Sequence, residues 1–230
     1  MRLNWTLSKI KPMPWPITHI LTAENTFKRY FSLLNHKAFI IGACFPDIRY
    51  PAGLNRKQTH LLPLPFPELQ KQPAFQAGMH CHNLTDILWN EYIRQNGDRL
   101  FVVVPHTRAM FHTLKILQDS YLYDHIDHWA DLAGYFQEVL PEEQVFDIPT
   151  GLIEQWHAML AGYLAKPPSQ TDVQILEKTL PAAMVTEVAE HYQAYQDNPV
   201  VRQVLVQFYE IFNGLIQPWV DNGQDQSTPR

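Results

Sequence analysis

The chain has 230 residues, 46% of them apolar and 18% charged, with a formal net charge of −5. That length buries a substantial core, the composition excludes disordered and fibrous classes, and no stretch reaches the roughly 20 uncharged apolar residues of a membrane span. The acidic balance argues against nucleic acid as a ligand, because a phosphate backbone selects basic surfaces. Nine glycines against eighteen prolines suit helices joined by stiff loops. The expectation is therefore an all-α fold, one compact multi-helix domain over residues 1–221 with a flexible polar tail at 222–230.

Periodicity and punctuation predict helices at 17–34, 36–45, 73–96, 106–119, 122–138, 149–165, 173–196 and 199–217. The β-branched run Leu100–Val104 reads either as a strand or as a buried helical turn. Between Pro46 and Gln72 five prolines exclude regular helix, and a connection that long is usually functional. Two cysteines, Cys44 and Cys81, make neither a disulfide framework nor a zinc-thiolate spacing. Lys9 and Lys11 interrupt any signal-peptide apolar region, and the expected location is cytoplasmic.

Nine of the eleven histidines fall within the first 128 residues, so a site is sought there and the last hundred residues read as scaffold. On a helical wheel of the stretch from Phe75 to Ile93, Phe75, Met79, Asp86, Trp89 and Ile93 lie within about 60° of His82, while Gln76, His80, Asn83, Asn90, Glu91 and Arg94 take the other side. His82 and Asp86 thus point inward and His80 points to water. A buried carboxylate needs a histidine, an arginine or a metal. By spacing alone, a self-satisfied His82–Asp86 pair and a metal site are equally open.

Asp47 follows Pro46 at a helix C-terminus, where the macrodipole disfavours a negative charge unless a cation is near; an ordinary turn role is the alternative. His60 sits in the proline-rich loop, and His19 borders the core in the first turn of its helix. Further along, Asp124, His128 and Asp131 read as a solvated patch, with His125 at the stripe edge as the one additional recruit. Arg108, His112, Lys115 and Asp119 read as a solvent-facing side opposite Met110, Leu114 and Leu117. His157 and His191 lack a carboxylate pattern, and the C-terminal aromatics read as packing.

The order Thr18-His19, Gly42-Ala-Cys-Phe-Pro-Asp47, Thr59-His60 and Ala77-Gly-Met-His-Cys-His82-Asn-Leu-Thr-Asp86 resembles the zinc-dependent phospholipase C family, an all-helical fold shared with P1-type nucleases. The resemblance covers residues 14–95 and places the metal site in residues 15–95. It implies that Asp47, His60, His82 and Asp86 hold one zinc, that Asp86 bridges to a second, and that His19 binds that second ion. It also implies a phosphodiester substrate, small or lipid, cleaved by zinc-activated water, with peripheral membrane contact if the substrate is a lipid. Asp47 would be ligand or general base. Secreted members use a processed N-terminal tryptophan and a His-x-x-x-Glu pair for further zinc binding; this chain has Met1 and no such pair, so two zinc ions are expected rather than three. The competing expectation is a catalytically degenerate helical protein that binds metal or a partner. A phosphohydrolase of the HD type is disfavoured, because the sequence holds Asp124-His125 and Asp127-His128 in the reverse order.

Overall fold

A computed structural model describes residues 16–170, 172–173 and 180–225 of the chain. The expectations for residues 1–15, 171, 174–179 and 226–230 lie outside the described residues. Helix α1 (Pro16–Thr26) runs into a π-helical turn at Phe27–Phe31, so the predicted helix at 17–34 is α-helical only in its first part. Its first turn is capped from a distance: the Asp119 carboxylate accepts from the Ile17 and Thr18 amides at 3.1 and 2.8 Å and from the Thr18 hydroxyl at 2.6 Å. Helix α2 (His36–Cys44) starts at Asn35, whose side chain accepts from Ala38 N, and gives way to a 3-10 turn at Phe45–Ile48 where Pro46 removes a donor.

The proline-rich segment holds only single helical turns, α3 (Arg49–Ala52), α4 (Arg56–Thr59) and α5 (Phe66–Leu69). Gly53, at φ 65°, ends the first, a left-handed conformation glycine takes without steric cost. Asn55 and Gln58 form a reciprocal capping box on the second. Helix α6 (Ala74–Gln95) matches its prediction to within a residue at each end. Leu100–Val104 is no strand: α7 (Gly97–Leu100) and the turn after it bury Leu100 and Val104.

Helix α8 (Arg108–Leu122) begins at Thr107, whose side chain accepts from Met110 N. The continuous helix expected at 122–138 is broken into a 3-10 turn at Tyr123–His125, α9 (Trp129–Gly134) and another 3-10 turn at Tyr135–Gln137. Ile126 is extended, at φ −138°, and the Trp129 indole donates to Tyr123 O at 2.7 Å, folding the chain back on itself. Then come α10 (Thr150–Leu164), α11 (Ala182–Tyr195) and α12 (Pro199–Asp225). The last continues through Pro218, so residues 222–225 are helical rather than part of a tail.

Among the described residues there are helices and turns and no strand, forming one all-α domain. Val201, Val204, Leu205, Phe208, Phe212, Ile216 and Val220 make a buried stripe along α12 at the 3-4 spacing of an amphipathic helix. Helices α2 and α6 cross with almost no gap. A Cβ added at Gly42 would stand 2.1 Å from Phe75 O, and one at Gly78 2.1 Å from Phe39 O. No described helix is long and apolar enough to cross a membrane.

Candidate metal centre

The close crossing of α2 and α6 brings the end of α2 against the middle of α6. Here the His82 ring donates from Nδ1 to Ala43 O at 2.8 Å, which leaves the Nε2 lone pair pointing away from α2. His60 is fixed by the same logic. Thr59 donates its hydroxyl to Pro46 O at 2.8 Å, so its oxygen is left to accept from His60 Nδ1 at 3.1 Å. A ring nitrogen anchored this way sets the tautomer and frees Nε2 as a ligand atom. His19, on α1, stacks on His82 with ring centroids 3.8 Å apart.

The five predicted residues converge. His19 Nε2 lies 3.8 Å from Asp86 Oδ1; His60 Nε2 is 3.6 Å from Asp86 Oδ2 and 3.9 Å from Asp47 Oδ1; and His82 Nε2 is 3.9 Å from both carboxylates. Two groups result, His19–His82–Asp86 and Asp47–His60–His82, each with its ligand atoms within 4.8 Å of one another. These spacings exceed hydrogen-bond length. They approach the edge of about 3.3–3.6 Å expected of a tetrahedron whose centre is 2.0–2.2 Å from each donor. His19 Nε2, His82 Nε2, Asp86 Oδ1 and Asp47 Oδ1 are all buried without a hydrogen-bond partner among the described residues. Such orphans are costly in a core, and a divalent ion satisfies them together.

Electrostatics prepare the ligands. Burial, then the neighbouring His82, holds the His19 imidazole well below its usual pKa, so it stays neutral with a lone pair to give. Burial pushes the Asp86 carboxyl up, but His60, His82, His19 and Arg56 together outweigh it and keep the group ionised. Arg56 reaches Asp86 Oδ2 at 2.7 Å. Asp47 is the one site residue open to water, its side chain 18% exposed.

Compared with family models, with curated proteins and with solved structures, the chain finds no match. The site is therefore read from its own geometry.

Three expectations are corrected here. His80 is buried rather than facing water; α6 is wrapped on all sides through this stretch, and Asn83, on the same polar side, donates to Leu61 O. The polar side of α8 faces solvent only at its start: Arg108 is exposed and His112 half-buried, whereas Lys115 and Asp119 are buried. Asp119 caps α1, and burial pushes its carboxyl up to about 7. Burial pulls the Lys115 ammonium down to about 8, while Asp47 and then Asp86 hold it up. His157 does have a carboxylate, that of Glu143 at 2.7 Å, and His191 meets Glu187 at 3.3 Å.

His125 takes no part in either group. Its Nδ1 lies 3.1 Å from Leu122 O and its ring stands edge-on to Tyr209. Sequence reasoning missed Arg49 and Arg56 as neighbours of the site, and it weighed Lys115 with Arg108 as a basic pair able to meet a phosphate but read both as a solvent-facing side. The one signal for them was the requirement that buried Asp86 find a cation.

Proposed function

We propose that this chain is a metal-dependent phosphoesterase that hydrolyses a phosphodiester, with His19, His82 and Asp86 holding one zinc and Asp47 and His60 completing a second position beside it. One observation carries the reading: imidazole and carboxylate atoms from four separate segments form two groups that share His82, each with its ligand atoms within 4.8 Å of one another; His19, His82, Asp47 and Asp86 each keep a buried atom without a hydrogen-bond partner among the described residues, and His60 and His82 are locked from behind. Imidazole and carboxylate together suit zinc. Zinc bound there supplies Lewis acidity, acidifying water and polarising a phosphoryl oxygen.

The protein's own residues have distinct tasks. Asp47 lies at the solvent-facing edge, with Oδ1 turned towards His60 and His82, and its other oxygen takes a proton from the attacking water. As the bond from the water oxygen to phosphorus forms, the bond from phosphorus to the leaving oxygen breaks. The leaving oxygen takes up the proton that Asp47 accepted. Asp86, clamped by Arg56, keeps its Oδ1 turned to His19 and its charge in place. Ile20, Met79 and Trp89, on the two helices that carry His19, His82 and Asp86, are fully buried, and such apolar surroundings strengthen each of these interactions.

Elemental analysis of the purified protein, followed by a panel of phosphodiesters with zinc supplied, tests the reading. Two tightly held zinc ions and hydrolysis are expected. Asp86→Asn is expected to lose at least one zinc and all hydrolysis while its far-ultraviolet circular dichroism stays helical. One closed four-ligand zinc without hydrolysis would mean a structural metal. A native protein that binds no zinc would leave only a satisfied buried cluster in a helical interaction protein.

A further inference from the structure

The metal ligands are flanked by cations that the proposed ligation does not use. Lys115 on α8 is 4% exposed, and among the described residues its ammonium has no ion pair or hydrogen bond. One turn further along α8, Asp119 holds the Ile17 and Thr18 amides beside His19 at 3.1 and 2.8 Å, so the Lys115 side of α8 packs at the start of α1 next to that ligand, and the charges that act on Lys115 most strongly are Asp47, Asp86, Arg49 and Arg56. Arg49, two residues beyond Asp47, has a buried Nε without a hydrogen-bond partner, and its guanidinium lies 3.8 Å over the Tyr50 ring. Arg56 lies on Asp86.

Three fixed cations thus surround two carboxylates. Without a metal the group already carries an excess of positive charge, and each divalent ion adds two more. A buried ammonium next to a divalent cation is a strongly repulsive arrangement, and an anion between them relieves it while the ammonium keeps its proton. Ammonium and guanidinium groups, one of them pre-set on an aromatic face, match phosphoryl oxygens in geometry as well as in charge.

We propose that Lys115 and Arg49, with Arg56 behind them, form an anion cradle beside the metal ligands that takes the non-bridging oxygens of a phosphoryl group and favours the doubly charged over the singly charged form. The proposal rests on the metal-centre reading above and adds to it the group that recognises substrate charge. A phosphodiester is a monoanion, whereas hydroxide attack on it builds a second negative charge in the transition state, and the product monoester is a dianion. A cradle matched to two charges therefore holds the transition state more tightly than the substrate. It also holds the product, so the enzyme is inhibited by its own phosphomonoester.

Calorimetric titration of the zinc-supplied protein with methyl phosphate and dimethyl phosphate at about pH 7, where a phosphomonoester is largely a dianion, tests this. Methyl phosphate is expected to bind more tightly than dimethyl phosphate. Lys115→Met, which fills the same space without charge, is expected to weaken methyl phosphate by about tenfold or more, and Arg49→Met to do the same if Lys115→Met does not fold. Zinc content measured on each sample is expected to match the parent. Equal binding of the two esters by the parent, or undiminished methyl phosphate binding by the folded variant, overturns the cradle. Absence of zinc from the parent overturns the metal reading instead, and the same titration still decides whether Lys115 holds an anion.

Discussion

Both halves of the molecule bury histidines against carboxylates, and they do so at different distances. In the C-terminal half, His157 Nε2 meets Glu143 Oε1 at 2.7 Å, and the second oxygen of Glu143 accepts from Leu140 N at 2.7 Å. In the N-terminal half, three histidines approach two carboxylates at 3.6–3.9 Å. In the first arrangement the carboxylate is closed, because both its oxygens are spent on the protein, and only His157 Nδ1 is left over. The second keeps its donor atoms just too far apart to satisfy one another and leaves Asp47 Oδ1, Asp86 Oδ1, both nitrogens of His19 and His82 Nε2 unpaired. Residue type does not separate the two; spacing does, and spacing comes from how the helices carrying the ligands are held.

The sharpest way to break the contrast is at the helix crossing. Gly42→Ala or Gly78→Ala drives a methyl into backbone 2.1 Å away, so α2 and α6 must separate and Ala43 O must leave His82. Overpacking costs about 1–3 kcal/mol where side chains can yield; here backbone is struck, and a loss above that range is expected in chemical denaturation, together with loss of metal. Gly162→Ala in α10, where a Cβ meets nothing within 4 Å, is expected to stabilise by about 0.5–1 kcal/mol. Equal effects at the two places would mean that the crossing does not set the site.

Next in size is the closed pair. Glu143→Ala strands His157 in the core and is expected to cost about 3–5 kcal/mol, read from urea midpoints, with zinc content unchanged. A variant that loses zinc would join the C-terminal half to the site and erase the distinction drawn between them.

The same contrast explains what the sequence disclosed. On α6 the periodicity was informative because His82 and Asp86 share a stripe with Met79 and Trp89, and the turn at Asp47 was marked by Pro46. On α8 it misled. Lys115 and Asp119 look like part of a solvent side, yet each is buried: Asp119 caps α1, and Lys115 lies in the field of Asp47 and Asp86, while Gln118 beside them bridges the Trp89 indole and Leu205 O. A polar stripe is outward only when nothing polar is waiting inside. His80 failed for a related reason, since α6 is buried on every side from Ala77 to Asp86 and has no water-facing stripe there to predict. The break after Tyr123 and the continuation of α12 through Pro218 follow from tertiary contacts that local propensity does not contain.

The smallest effect concerns the acid limb of stability and probes the buried side of α8. His112 is pulled down to about 3 by burial first and then by the charges of Lys115 and Arg108, from an ordinary value of 6.5. The unfolded chain therefore takes up a proton below about pH 6.5, while the folded chain refuses it until about pH 3, so stability contributed at this position is fully present at neutral pH and drains away as pH falls through that window. His112→Gln removes the difference in proton uptake. At 1.36 kcal/mol per unit, it is expected to gain about 2 kcal/mol relative to the parent at about pH 5 over whatever it shows at neutral pH. The measurement is a pair of urea titrations at each pH. Parallel acid limbs in the two proteins would show that the imidazole is protonated as readily folded as unfolded, and that this side of α8 is wetter than its packing indicates. Lys115→Met supplies the cross-check, because deleting one of the two charges that oppose His112 is expected to move the parent's acid limb part of the way towards that of His112→Gln.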